Sequence, residues 1–256
     1  MNGRGANLRH DPDFPWLSCG DFFRFPDPEA AEGSVVAAGG NLSPGMVLSA
    51  YVQGIFPWFN EDDPLLWHSP DPRFVLFPEF LHIPSRLRRA MKKPRFRITA
   101  DRAFEEVLAS CAEIPRPGQQ GTWITADMRE SCLILRKEGF MHSVEAWDGS
   151  RLAGGFYGMQ IGPVFFGESM FSREPDSSKT AFAVFAGRFF GSMGGTLIDS
   201  QVYTDHMARF GARNISRQAY IRLLHRCFSG CDIQYRKTGV PSSLFCRKTD
   251  WSAFFP

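Results

Sequence analysis

Residues 144–201 constrain the fold more than any other part of the chain, because three strand patterns are followed there by a helix and a further strand. The first two strands are separated by Asp-Gly at 148–149, a dipeptide that favours a tight hairpin, and the next two by Gly-Pro at 162–163. A helix is expected over about 177–191, before the buried strand TLIDSQV. This order predicts a mixed α/β fold with a mostly antiparallel central sheet, rather than a doubly wound nucleotide-binding fold.

Three polar residues lie in or beside apolar segments of this region: Glu168, Asp199 and Gln201. An unpaired polar group is costly in such surroundings, so each is expected to have a partner or a chemical role. The intervening helix carries phenylalanines three and four residues apart on one face: Phe182, Phe185 and Phe189. Acids and an amide beside an aromatic wall predict a pocket for an apolar side chain next to polar chemistry. Plain core packing is the alternative.

The composition is that of an ordinary globular protein. The chain has 256 residues, of which 43% are hydrophobic and 22% charged, and its net charge of +2 does not by itself imply a partner. Residues 1–73 are rich in proline, glycine and aromatic residues, whereas mixed α/β patterns begin at Phe74. We therefore predict a small N-terminal domain of residues 1–73 and a larger domain of residues 74–256.

Cysteines, histidines and the N-terminus bear on location and cofactors. No two of the six cysteines have CxxC spacing, and the six histidines show no metal-ligand spacing. The N-terminus lacks the pattern of a signal peptide, and no apolar run is long enough to span a membrane. These features predict reduced thiols, a cytoplasmic location and no metal site.

Polar residues in front of apolar periodic segments predict where helices begin. Serine followed by proline predicts a helix that starts at residues 43–44 and runs to about residue 53. Asp101 is expected to cap a helix that extends through Cys111, and Thr125 to cap the helix after it.

A strongly basic segment, SRLRRAMKKPRFR, begins at Ser85 and contains no acidic residue. A solvated helix face normally mixes charges of both signs, so this segment predicts a surface that contacts nucleic-acid phosphates. Such contacts depend on salt and carry little sequence information. A simple solvated face is the alternative. The candidate phosphate contacts are Arg86, Arg88, Arg89, Lys92, Lys93 and Arg95, with Arg97 beside them.

Nine sequence strings in a fixed order indicate a family. They are AAGGNLSPGMVLSAY, GIFPWF, WHSPDPR, GTWI, GGFYG, GESMFSR, SSKTA, LIDSQV and DHMARFGA, and they extend over about residues 35–220. With them the chain resembles leucyl/phenylalanyl-tRNA–protein transferases. The resemblance implies a small N-terminal domain and a domain like that of GNAT acyltransferases. It also implies a cytoplasmic, cofactor-free enzyme, which we expect to be a monomer.

The activity implied by the resemblance is the transfer of Leu or Phe, and less efficiently Met, from aminoacyl-tRNA to proteins that begin with Arg or Lys. The product then enters the N-end rule degradation route. For Asp199 and Gln201 the resemblance implies proton handling, since two residues apart on a strand they would point to the same face. An ionised Asp199 would orient and polarise the Gln201 amide. A route through the terminal ribose hydroxyl remains open. Glu168 would bind an amino group of one substrate, and a buried ion pair with Arg173 or Lys179 is its alternative.

Further residues match family positions for the two ends of the donor. The aminoacyl side-chain pocket would use Phe156, Phe165, Phe182, Phe185, Phe189 and Ile198, and the terminal adenosine would use Tyr51, Trp58 and Trp123. Plain core packing is the alternative for the first set, and packing in an interdomain core is the alternative for the second. Two departures from the family bear on the side-chain pocket, since Phe156 stands where Met is frequent and Phe182 where Leu is common. The pocket is therefore expected to be tighter.

Two other functions fit parts of the sequence. A CoA-dependent N-acetyltransferase of the same fold would need a glycine-rich turn for the pyrophosphate, and RLAGGF at 151–156 has a bulky Phe at the last position and lies in a strand pattern. That reading is therefore disfavoured. A non-catalytic tRNA-binding protein would keep the basic segment, and the retention of Glu168, Asp199 and Gln201 argues against it.

Overall fold

The structure is a computed structural model that describes residues 14–59, 63–114, 124–229 and 251–255. The chain divides into two compact units. The first consists of Met1–Asp71, Pro115–Ile134 and Arg217–Phe245, and the second of Pro72–Ile114, Leu135–Ser216 and Cys246–Pro256. The domain boundary after residue 73 stays a prediction.

The described residues form helices, strands and short 3-10 turns. The helices are α1 (Pro44–Val52), α2 (Ser85–Met91), α3 (Phe104–Glu113), α4 (Ala126–Lys137), α5 (Ser177–Gly191), α6 (Asp205–Ala208) and α7 (Arg217–Ser229). The strands are β1 (Val35–Ala38), β2 (Phe56–Pro57), β3 (Leu66–His68), β4 (Arg73–Leu76), β5 (Arg97–Ala100), β6 (Met141–Asp148), β7 (Arg151–Ile161), β8 (Val164–Ser172), β9 (Leu197–Asp199) and β10 (Arg213–Ile215). The 3-10 turns are Pro28–Ala30, Pro78–Phe80 and Trp251–Ala253.

The first unit contains a three-stranded antiparallel sheet in the order β1-β3-β2. Helix α1 begins at Pro44 as predicted, because proline lacks the N–H that the first helical turn leaves without a partner. The buried guanidinium of Arg217, at the start of α7, donates to the backbone carbonyls of Ala31, Gly33 and Ser69. These hydrogen bonds connect α7 to the segment before β1 and to the residue that follows β3.

The second unit is built on a seven-stranded sheet in the order β10-β4-β9-β8-β7-β6-β5. Neighbouring strands are antiparallel except β8 and β9, which α5 connects as a crossover. The predicted hairpin turns are confirmed, with φ of 62° at Gly149 and 54° at Gly162, values that glycine adopts without steric cost. The prediction of a mixed α/β fold with a mostly antiparallel sheet is therefore confirmed.

Helices cover both faces of this sheet. On β7, Phe156 faces the rings of α5, whereas its neighbour Tyr157 meets Phe104 of α3, as the alternation of side chains along a strand requires. The predicted bounds of α5 are confirmed, and one of its faces is buried with the sheet in an apolar cluster. Leu87 of the basic helix α2 is buried in the same cluster.

One predicted helix cap is wrong. Helix α3 begins at Phe104, and Asp101 lies ahead of it in a left-handed conformation with φ of 60°. Its carboxylate accepts the backbone N–H of Ser143 at 3.0 Å and lies 2.8 Å from Nδ1 of His142, so it is held by β6 rather than by α3. The prediction for Thr125 is confirmed, since its hydroxyl accepts the N–H of Met128 in α4.

Two observations concern the wider chain. Among the helices in the described ranges, none is both long and apolar enough to cross a membrane. No disulfide joins any two of the cysteines that the structure describes.

Candidate active site

Asp199 ends strand β9 and forms a salt bridge with Arg73 at the start of β4. Both side chains are 0% exposed. Arg73 Nε donates to Oδ1 at 2.9 Å and to Oδ2 at 3.2 Å, and Nη2 donates to Oδ2 at 2.6 Å. Two planar groups joined in this way have one preferred mutual geometry, so the carboxylate is fixed in position.

The sequence prediction did not include Arg73 among the candidate site residues. The signal that could have found it is charge balance, because a carboxylate expected in an apolar strand requires a cation or must take up a proton. Arg73 is the cation that directly precedes the apolar strand FVL. Antiparallel pairing of β4 with β9 places Val75 opposite Asp199. Arg73, two residues before Val75 on the same strand, therefore lies close enough to form the salt bridge with Asp199.

Gln201 is held by the backbone beside Asp199. Its N–H donates to Oδ1 of Asp199 at 2.9 Å, and its carbonyl accepts the N–H of Phe74 at 3.1 Å. The residue has φ of 57°, a left-handed conformation that glutamine rarely adopts and that costs on the order of 1–3 kcal/mol. The expectation that Asp199 and Gln201 point to one face of a common strand is therefore wrong, because β9 ends at Asp199 and the chain turns there.

Glu168 lies on β8, the neighbour of β9, and is half-buried. In the pairing of β7 with β8, Tyr157 lies opposite Ser169 and the next residue opposite Gly167, so Glu168 is the extra residue of a β-bulge. Phe166 lies opposite Asp199, which brings Glu168 and Asp199 onto adjacent strands at one end of the sheet.

The two cations considered as ion-pair partners for Glu168 bind other groups. Lys179 lies 3.0 Å from Asp176, and Arg173 donates to the hydroxyl of Ser110 at 2.9 Å while lying 4.0 Å from Glu106. These contacts keep both cations on the segments around α5 and α3.

The side chains predicted for the aminoacyl pocket are brought together by the fold. All six are buried in a single apolar cluster: Phe156, Phe165, Phe182, Phe185, Phe189 and Ile198. The ring centroids of Phe165 and Phe185 are 4.5 Å apart, and those of Phe156 and Phe185 are 5.3 Å apart. We call this set the aromatic cluster. It contains Ile198, the residue before Asp199, so apolar and polar parts of the site meet on β9.

Trp251 is a member of the same apolar core that the sequence prediction did not include. Its indole, 1% exposed, stacks on Phe185 with centroids 5.3 Å apart and lies 6.0 Å from Phe165. The Trp251–Ala253 turn belongs to a C-terminal segment whose sequence has no periodic pattern, so only long-range packing reveals this contact.

The residues predicted for the adenosine differ in accessibility. Trp58 is 43% exposed and forms an edge contact with His68 at 5.6 Å, so it presents a ring surface on which a base can stack. Tyr51 is only 1% exposed and presents no such surface in this conformation. Trp123 lies outside the described residues.

The candidate phosphate contacts are exposed, but one of them differs from the rest. Arg95 forms ion pairs with Asp148 and Glu174, and these neighbours raise the pKa of Arg95. Its charge is therefore partly neutralised, unlike the expectation from an all-basic segment. No ion pair joins the other predicted contacts to an acid in the described ranges: Arg86, Arg88, Arg89, Lys92 and Lys93.

Two titratable groups near the core have displaced pKa values. Burial, followed by the charges of Lys179 and Arg209, lowers the pKa of His206 to about 4, so its imidazole is neutral at neutral pH. The ring lies 6.2 Å from that of Phe182. Burial raises the pKa of the Glu145 carboxyl, although hydroxyl hydrogen bonds from Ser143 and Thr99 act in the opposite direction. His206 is thus an uncharged neighbour of the aromatic cluster.

Most of the amino-acid sequence matches one protein family. Residues 75–225 match the family described as leucyl/phenylalanyl-tRNA protein transferase, and residues 40–71 match the N-terminal domain of the same family. Among solved structures, a GCN5-related N-acetyltransferase from Kribbella flavida is similar at 13% identity and a TM-score of 0.33, covering 69% of this chain and 62% of that one. L-PGS from Bacillus licheniformis is similar at 10% identity and a TM-score of 0.33, and the match covers 76% of this chain and 59% of that one. At these TM-scores the structural similarities carry no argument.

Curated relatives carry the same family description. The leucyl/phenylalanyl-tRNA–protein transferase of Myxococcus xanthus is 53% identical over 203 residues, which are 79% of this chain and 86% of the relative. The transferase of Anaeromyxobacter dehalogenans is 51% identical over a match that covers 79% of this chain and 87% of the relative. The transferase of Xanthomonas campestris is 45% identical over 84% of each chain. The chain therefore belongs to the leucyl/phenylalanyl-tRNA–protein transferase family, whose members are aminoacyltransferases.

Proposed function

We propose that this protein transfers Leu or Phe, and less efficiently Met, from aminoacyl-tRNA to the N-terminal Arg or Lys of acceptor proteins. The product would enter degradation by the N-end rule route, and the enzyme would act in the cytoplasm as a monomer. The observation that carries this proposal is the Arg73–Asp199 salt bridge, whose carboxylate belongs to the residue directly after Ile198 of the aromatic cluster and accepts the backbone N–H of Gln201. Transfer of an apolar aminoacyl group requires a positioned polar group beside an apolar region, and β9 carries Ile198 of the cluster next to Asp199.

The reaction needs little from the protein except positioning and proton handling. The acceptor α-amine attacks the carbonyl carbon of the aminoacyl ester, a tetrahedral intermediate forms, and the bond to the ribose oxygen breaks. The amine loses a proton and the leaving ribose oxygen gains one. Since the ester is already activated, the protein has to orient a neutral amine and stabilise the charge that develops on the carbonyl oxygen.

Asp199 acts in this scheme as a positioning residue. Both of its oxygens already accept from Arg73, and Oδ1 also accepts the backbone N–H of Gln201. We infer that this arrangement holds Gln201 in its left-handed conformation, so that its side-chain carbonyl can accept a hydrogen bond from the attacking amine. The proton then reaches the ribose oxygen either along Gln201 or through the ribose hydroxyl, and both routes fit the same arrangement.

The rest of the donor would be bound by other groups of the chain. The aromatic cluster would take the Leu or Phe side chain, and Glu168 would bind an amino group of one of the two substrates. Trp58 would stack on the terminal adenosine together with Trp123, and Tyr51 would take part only if its buried ring becomes exposed. The exposed cations of α2 would contact phosphates. Phenylalanine at 156 and 182 would make the side-chain pocket tighter than in relatives with Met and Leu there.

The experiment that tests this function measures transfer of radiolabelled Phe and Leu from charged tRNA to a peptide that begins with Arg. A peptide of the same sequence that begins with Asp is the matched acceptor control, and no CoA is added. Label on the Arg peptide alone is the expected result. Absence of transfer from both donors, despite tRNA binding, would contradict the proposal and favour a non-catalytic tRNA-binding protein. Label on the Asp peptide alone would retain the chemistry and overturn the acceptor assignment.

A further inference from the structure

The indole of Trp251 is packed among groups from several elements of the second unit. It stacks on Phe185 of α5 at an interplanar angle of 21° and is tilted by 42° against Phe165 of β8. On β6, the imidazole of His142 is parallel to it with centroids 4.3 Å apart. The indole N–H donates to Oε1 of Gln160 on β7 at 2.7 Å. A side chain fixed by stacking and by a directional hydrogen bond forms a rigid surface.

Trp251 also lies beyond the part of the chain that the family match covers, which ends at residue 225. Two rings of the aromatic cluster, Phe165 and Phe185, nevertheless touch its indole. The size of any space that these two rings border therefore depends on a residue outside the matched region.

We propose that Trp251 is a specificity-determining residue that forms one wall of the aminoacyl side-chain pocket and limits the size of the side chain accepted. The proposal rests on the proposed function, because it concerns which aminoacyl group is transferred. Two physical features support it. The indole is too closely packed to rotate away from a larger side chain, and its removal would leave space beside Phe165 and Phe185.

Two other roles for Trp251 make different predictions. A plain core residue would affect stability and reduce transfer from every donor by the same factor. A plug that occupies the pocket would slow transfer from every donor, and its removal would accelerate all of them equally. A wall changes the ratio between donors, because it acts on the difference in size between their side chains.

The test compares kcat/KM for transfer of Phe and of Trp from the corresponding charged tRNAs to the Arg peptide. We expect Trp251→Ala to raise the ratio of Trp to Phe transfer by about tenfold or more, within the range by which apolar pockets discriminate side-chain size. Trp251→Phe should raise it less, since it retains most of the ring. Phe104→Ala is the matched control, because it removes a buried aromatic ring on the opposite face of the sheet. Its ratio should equal that of the unaltered protein.

Thermal unfolding of all variants shows whether each one is folded at the assay temperature. An unchanged ratio in both Trp251 variants, or the same shift in the Phe104→Ala variant, would overturn the proposal. An equal acceleration of both donors would overturn it in favour of a plug. The unaltered protein distinguishes this failure from that of the proposed function. If it transfers Phe, the function stands whatever the Trp251 variants do, and if it transfers neither Leu nor Phe, the function itself is wrong.

Discussion

Arg73 and Asp199, which lie 126 positions apart in the sequence, form a salt bridge with both side chains fully buried and an Nη2–Oδ2 distance of 2.6 Å. Transfer of two charges out of water is costly, so such a pair is weak grounds for stability in itself. The salt bridge instead fixes the position of the Asp199 carboxylate, which also accepts the backbone N–H of Gln201, a residue with a strained backbone. The charge pair and the left-handed backbone therefore form one structural unit.

The first prediction concerns this pair. Arg73→Met or Asp199→Leu alone should lower the free energy of unfolding by about 3–5 kcal/mol, because each leaves an uncompensated buried charge. The double variant should lose clearly less unfolding free energy than the two single variants lose together, since neither charge remains. Urea denaturation of the four proteins measures the coupling. Additive losses would mean that the two residues do not stabilise each other.

The second prediction separates the backbone of Gln201 from its side chain. Gln201→Gly and Gln201→Ala both remove the amide, so both should slow transfer by about 10²-fold or more if the amide handles the amine proton. Glycine adopts φ of 57° without steric cost, so the glycine variant should be more stable than the alanine variant by about 1 kcal/mol. Transfer assays and thermal unfolding measure the two effects. Normal transfer in either variant would exclude the side chain and favour the ribose route.

The third prediction concerns tRNA binding by α2. Charge reversal of Arg88, Arg89 and Lys92 should weaken binding of charged tRNA and reduce its dependence on salt concentration, because fewer counterions are released. Arg95→Gln is the matched control, and its effect should be smaller because Asp148 and Glu174 already bind that guanidinium. Binding is measured by filter retention across a salt series.

The same binding assay checks the division of roles within the second unit. Asp199→Ala should slow transfer but change tRNA binding only modestly, since the residue is buried. An equal loss of binding in the Asp199 variant and in the charge-reversal variant would contradict that division.

The fourth prediction is a pH dependence of stability from His206. Its pKa in the folded protein, about 4, lies below the ordinary value of 6.5, so the unfolded chain takes up the proton first as the pH falls. The contribution of His206 is therefore complete above pH 6.5 and is lost progressively down to pH 4, by about 3 kcal/mol.

His206→Leu should remove this part of the pH dependence, and His82→Leu, at an exposed histidine, is the control. The quantity to compare is the difference in unfolding free energy between variant and unaltered protein at each pH. Using this difference cancels the contribution of Glu145, whose raised pKa has the opposite effect on stability. A difference that does not vary between pH 4 and 6.5 would show that His206 is not buried as a neutral imidazole.

Several local features of the structure could be predicted from the sequence. The Asp-Gly and Gly-Pro dipeptides predicted both hairpin turns, and the spacing of Phe182, Phe185 and Phe189 predicted the buried face of α5. These features depend on residues close together in the chain, whose backbone preferences and periodicity act before any tertiary contact forms. The prediction that Asp101 caps α3 was wrong because it considered only nearby residues. Strand β6, which is distant in sequence, binds that carboxylate instead.

What the sequence determined by itself is the identity and order of the elements and the family that their motifs indicate. The tertiary structure alone decided that Arg73 pairs with Asp199, that β9 ends at Asp199, ahead of Gln201, and that Trp251 packs against the aromatic cluster. The first two depend on which strands become neighbours in the sheet, and the third on where the Trp251–Ala253 turn packs. Strand order brings together residues that no local pattern relates, and burial then favours arrangements in which charges and polar groups such as Arg73 and Asp199 find partners.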